Sequence, residues 1–128
     1  MSWEDQMRWD EHPAAPADGT VLCRFDELSG DDGREVVIGA GDDPLRLLVV
    51  RRGDQAFAYM NCCPHHYIPL AEEGETFLTY DRSWMICSAH GAVFRYEDGF
   101  CEDGPCMGKS LQAVPVEQVD GVVRIKRP

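Results

Sequence analysis

Cys63-Pro64-His65 and Cys87-Ser88-Ala89-His90 are the two stretches from which the rest of this chain is read. Each offers one thiol and one imidazole a residue or two apart. Two such groups at that spacing reach one pocket from a tight loop. Pro64 stiffens the first loop by fixing φ and removing an amide donor. Gly91, directly after His90, permits close backbone approach. Two sulfur and two nitrogen donors suffice to hold a metal centre between two loop tips. Zinc accepts such a set, but its usual sequence signature is C-x₂₋₄-C, which neither motif has. A binuclear iron–sulfur centre with imidazoles replacing two thiolates fits the C-x-H and C-x-x-H pattern better. The residues alone leave both chemistries open.

Outward from the motifs, the text is strand-like. Segments 45–52 and 55–60 flank Gly53-Asp54, a hairpin signal. Segments 113–119 and 122–126 flank Asp120-Gly121, which demands a type I′ turn. Residues 21–25, 35–38, 84–87 and 92–96 form further short β candidates. No segment sustains a helical apolar period. Short strands punctuated by turns predict an all-β fold, an antiparallel sandwich or barrel. Residues 61–108 break this rhythm and hold both motifs. They read as an inserted cluster-binding subdomain with one loop over 61–70, a second over 87–96 and a third over 102–108. Residues 20–128 then form one domain. Residues 1–19 read as an N-terminal extension, a loosely held arm with Trp3, Met7 and Trp9 scattered among charges.

The chain has 128 residues, enough for one domain with its own core. Twelve basic and 23 acidic residues give a net charge of −11. That balance argues against nucleic acid and anionic membrane surfaces, which need a basic face. It favours a partner with a basic docking patch. The longest apolar runs, such as Leu47-Leu48-Val49-Val50, are too short to cross a bilayer. Without a basic-then-apolar leader at the N-terminus, a cytoplasmic location is expected. In that compartment the six cysteines, Cys23, Cys62, Cys63, Cys87, Cys101 and Cys106, read as ligands or reduced thiols before disulfides.

The chain resembles the Rieske-type [2Fe–2S] ferredoxin family. The matching residues are Cys63-Pro64-His65, Pro69-Leu70, Cys87-Ser88-Ala89-His90-Gly91-Ala92-Val93-Phe94, Asp98-Gly99 and Gly104-Pro105-Cys106 followed by Leu111. The resemblance spans roughly residues 45–127. It implies one [2Fe–2S] cluster per chain, with Cys63 and Cys87 on one iron and His65 and His90 on the other, exposed iron. Cys62 and His66, beside two of these positions, are read as neighbours of the site. The respiratory members of the family cross-link their two cluster loops through an extra Cys on each. The corresponding positions here are Ile68 and Ala89, so that bridge cannot form. Those members also place a Ser two residues and a Tyr four residues after the second His ligand. Here these positions are Ala92 and Phe94, which donate no side-chain hydrogen bond to cluster sulfur.

The resemblance implies a one-electron carrier that passes electrons from a flavin-dependent reductase to an oxygenase or another acceptor. A Rieske-like small subunit of a larger oxidoreductase, such as a nitrite reductase, is the alternative. A zinc or iron–sulfur structural or sensor module is the third reading. An enzyme in its own right is not expected. The chain has no room for a mononuclear iron domain, and neither a G-x-G-x-x-G loop nor a G-x-S-x-G elbow is present.

Overall fold

The computed structural model describes residues 8–39, 44–62, 70, 76–87, 91–104 and 106–127. Among them are ten strands: β1 (Val21–Arg24), β2 (Gly33–Ile38), β3 (Leu45–Arg52), β4 (Gln55–Met60), β5 (Met85–Ile86), β6 (Val93–Phe94), β7 (Cys101–Asp103), β8 (Ala113–Val114), β9 (Val116–Val119) and β10 (Val122–Ile125). They form three antiparallel sheets, ordered β1-β10-β9, β2-β3-β4-β8 and β5-β6-β7.

The apolar run Leu47-Leu48-Val49-Val50 organises the molecule. It lies in the middle of β3, between β2 and β4, and all four side chains are fully buried. Alternate side chains of a strand point to opposite faces. Leu45, Leu47 and Val49 enter one core with Ala58, Val114, Val123 and Ile125. Leu48 and Val50 enter another with Tyr59, Leu70, Met85, Cys87, Phe94 and Tyr96. The central sheet is covered on both faces, which is why its strand reads as continuous rather than alternating. One face meets the β1-β10-β9 sheet and the other carries the small β5-β6-β7 sheet. The all-β antiparallel architecture follows.

The hairpins at 53–54 and 120–121 form where the turn residues put them. Arg52 pairs with Gln55 across the first, and Val119 with Val122 across the second. Asp120 and Gly121 both have positive φ, as a type I′ turn requires. The expected single strand over 113–119 divides instead. Pro115 lacks an amide proton and interrupts the ladder. β8 therefore pairs with β4 in the central sheet, and β9 with β10 in the outer one. The segment 102–108 is also not all loop, because β7 pairs with β6 through an irregular register.

The described part of the N-terminal segment is not loosely held. Trp9, in a 3-10 turn over Trp9–Glu11, is 3% exposed and belongs to the outer core. Arg127 lies over its ring at 5.1 Å and donates to the Pro16 carbonyl. Gly19 N–H donates to Ile125 O at 2.8 Å. An apolar side chain among charges was the only signal for this docking.

Candidate metal centre

Cys87 follows β5 directly and is fully buried. Its backbone N–H donates to Ala92 O at 2.9 Å, and its carbonyl accepts the Gly91 N–H at 2.8 Å. These two bonds close the base of the second motif loop. Ala92 and Phe94, fully buried beyond that base, present only carbon atoms. Cys63, His65 and His90 lie outside the described residues, as do Pro64, His66, Ile68, Ser88 and Ala89. Cys62 is half-buried, and its N–H donates to Met60 O. Among the described residues no three His, Cys, Asp or Glu side chains gather as a metal site.

The described ends of the two motif loops share one core. Leu70, at the end of the first loop, is fully buried in the same core as Cys87 and Ala92. The third loop closes against them. Gly104 has φ +99, and a Cβ there would stand 2.6 Å from Ala92 Cα and 3.2 Å from Gly91 O. Only a glycine admits so close an approach. Described residues of all three segments thus lie in or against one core, which includes the buried thiol of Cys87. A buried sulfur donor suits a soft metal centre bound through thiolate.

Segments flanking the strands of the small sheet are tied to the central sheet by aromatic and cationic side chains. Tyr59, on β4, donates its hydroxyl proton to Tyr96 O, and Tyr96 donates to Asp31 O at 2.9 Å. Burial pushes the Tyr96 phenol up to about 12, and the Tyr59 phenol rises for the same reason. Arg52 lies over the Tyr96 ring at 4.2 Å and donates to Ser83 O at 2.8 Å. Sequence patterning gave no sign of these links, since each joins residues far apart in the chain.

Cys101 and Cys106 stand together as thiols, with Cys106 Sγ donating to Cys101 Sγ at 3.1 Å. Cys23 belongs to the outer core, where burial pushes its thiol up. The acidic residues near the third loop are largely paired. Arg95 meets Asp98 at 2.6 Å and Glu102 at 2.8 Å, and Arg52 approaches Glu97 at 3.7 Å. Hydrogen bonds from Arg95 hold the Asp98 carboxyl below its usual range.

The Rieske [2Fe-2S] domain model matches residues 19–120, most of the chain. This protein belongs to the Rieske [2Fe–2S] domain family, and its cofactor is a [2Fe–2S] cluster. No curated protein sequence matches it. Among solved structures, the ferredoxin of carbazole 1,9a-dioxygenase from Nocardioides aromaticivorans IC177 is similar with TM-score 0.67 and 19% identity, over 88% of this chain and all (100%) of that one. A chain in a complex of reduced oxygenase and oxidized ferredoxin in carbazole 1,9a-dioxygenase shares 27% identity at TM-score 0.62, over 80% of this chain and 96% of that one. The Sphingomonas yanoikuyae B1 ferredoxin gives TM-score 0.61 and 22% identity, over 87% of this chain and all (100%) of that one.

The absence of hydroxyl donors at positions 92 and 94 has a measurable consequence. Hydrogen bonds to cluster sulfur favour the reduced, more negative state and raise the potential. The potential is therefore expected toward the lower end of the roughly −150 to +300 mV span of such centres. The paired acids at Glu97, Asp98 and Glu102 add less to this than their number suggests, so the expectation rests on Ala92 and Phe94. A redox titration reading well above about +100 mV would contradict it.

Proposed function

We propose that this protein is a one-electron carrier in which Cys63 and Cys87 hold one iron of the cluster and His65 and His90 hold the other. The bound cluster supplies reversible one-electron chemistry. The chain would supply two thiolates and two neutral imidazoles, with Cys87 set in a core that includes the fully buried Ala92 and Phe94. Electrons come from a flavin-dependent reductase and go to an oxygenase or another acceptor. The observation that carries this reading is the 27% identical chain from an oxygenase–ferredoxin complex, 96% of which is covered here. The ferredoxin of carbazole 1,9a-dioxygenase from Nocardioides aromaticivorans IC177, covered over 100% of its length, supports the same reading. A carrier without catalysis of its own, working in the cytoplasm, is the resulting proposal. Among the described residues no helix is long and apolar enough to cross a membrane.

The test is rapid mixing of the reduced protein with a terminal oxygenase and, separately, of the oxidised protein with a flavin reductase. One electron per chain is expected to pass in each case. A net charge of −11 steers the protein toward basic docking faces. Second-order rates are therefore expected to fall several-fold as salt rises from low to physiological strength, where screening shortens to about 8 Å. Salt-independent rates would remove the electrostatic part of the reading, and failure to pass an electron would remove the rest.

A further inference from the structure

Cys63 and His65 lie on a segment whose ends, Asn61 and Leu70, are joined by one side chain. Asn61 Oδ1 accepts the Leu70 N–H at 2.8 Å across nine residues. Asn61 is 8% exposed and Leu70 is fully buried, so water does not compete for this bond. The same amide is held from behind. Its Nδ2 donates to Glu35 Oε2 on β2. Glu35 in turn receives Arg46 of β3 in a two-point pair, Nε to Oε2 at 2.7 Å and Nη2 to Oε1 at 3.1 Å. The Asn61 backbone N–H donates to Arg46 O at 2.9 Å.

A buried polar side chain is costly unless its groups are bonded. Here both ends of the amide are used, and they are not interchangeable. The oxygen must face a backbone N–H and the nitrogen a carboxylate. Rotating the amide would set two acceptors together and two donors together. The Arg46–Glu35 pair thus fixes the direction in which Asn61 presents its oxygen. An asparagine that only filled space would need no such backing.

We propose that Asn61, oriented by the Arg46–Glu35 pair, is a positioning residue that closes segment 61–70 and thereby sets where Cys63 and His65 present their ligand atoms. The proposal rests on the reading of those two residues as cluster ligands. It assigns to the central sheet a direct part in holding the cluster, through β2 and β3.

The test measures the rate at which the purified holoprotein loses its visible absorption to an iron chelator. It is paired with the electron paramagnetic resonance (EPR) spectrum of the reduced protein. Removing a partner that orients a metal ligand typically costs about 10- to 100-fold in metal affinity. Asn61→Ala is expected to accelerate cluster loss by a factor in that range and to shift or broaden the EPR lines. Asn61→Asp is expected to do the same, because a carboxylate then faces Glu35. Adding Glu35→Gln to Asn61→Asp supplies a donor opposite the new acceptor and is expected to recover most of the loss. Val49→Ala, in the outer core, shows how much cluster loss general destabilisation causes; it is expected to keep the wild-type EPR spectrum. Wild-type retention and spectrum in Asn61→Ala would overturn the positioning role, as would a double variant no better than Asn61→Asp. A wild-type protein that takes up no cluster would overturn the underlying reading as well.

Discussion

Replacing Cys87 by serine is expected to remove the cluster altogether. The thiol is fully buried at the closed base of the second motif loop. A hydroxyl there is a harder, far less acidic ligand, and iron–sulfur centres are held by thiolates. Iron content and visible absorption are expected to fall by at least about tenfold, since even loss of an outer partner of a ligand costs that much. The outer core, which does not include Cys87, is expected to retain its β-sheet circular dichroism. Cys101→Ser supplies the contrast. Cys101 is equally buried in the same core, yet it stands on β7, paired with Cys106. Its replacement is expected to leave the cluster in place. Equal loss in both variants would mean that packing, not ligation, explains Cys87.

Gly104→Ala is expected to disrupt the packing of the third loop on the base of the second. The added Cβ would stand 2.6 Å from Ala92 Cα and 3.1 Å from Ala92 N, so backbone must move. Ala92 O is the acceptor for Cys87 N–H, and the displacement passes directly to the ligand loop. Gly108 separates this clash from the cost of positive φ. It lies in the same loop with φ +95, and a Cβ there would meet nothing within 4 Å. Forcing a residue into a positive φ costs on the order of 1–3 kcal/mol, and overpacking typically adds about 1–3 kcal/mol. Gly104→Ala is therefore expected to lower stability by about 2 kcal/mol more than Gly108→Ala, with faster cluster loss. Denaturant unfolding of the two variants side by side checks the difference. Equal stability would show that the third loop yields at no cost.

The parts legible in the sequence were those set by local chemistry. The hairpins at 53–54 and 120–121 follow from turn residues that leave the backbone little choice, and β3 and β9 end where those turns begin. The paired motifs identified the family, now matched over residues 19–120. What escaped was set by partners distant in sequence. β7 is three residues long, two of them acidic, and forms only because β6 offers an edge. Pro115 moves its flanking segments into different sheets, an outcome that depends on where β4 and β10 lie. Trp9 looked like part of an arm because its core neighbours lie mostly far along the chain. At the site, the motifs supply the proposed ligands, while the Asn61–Leu70 bond and the packing of Gly104 on Ala92 depend on which segments meet.

The central claim is that two cysteines and two histidines hold a [2Fe–2S] cluster that carries one electron. EPR of the purified, dithionite-reduced protein tests it most directly. A rhombic spectrum with an average g below that of all-cysteine [2Fe–2S] centres, integrating to one spin per chain, is the predicted result. A silent sample containing stoichiometric zinc, or a spectrum of the all-cysteine type, would contradict it.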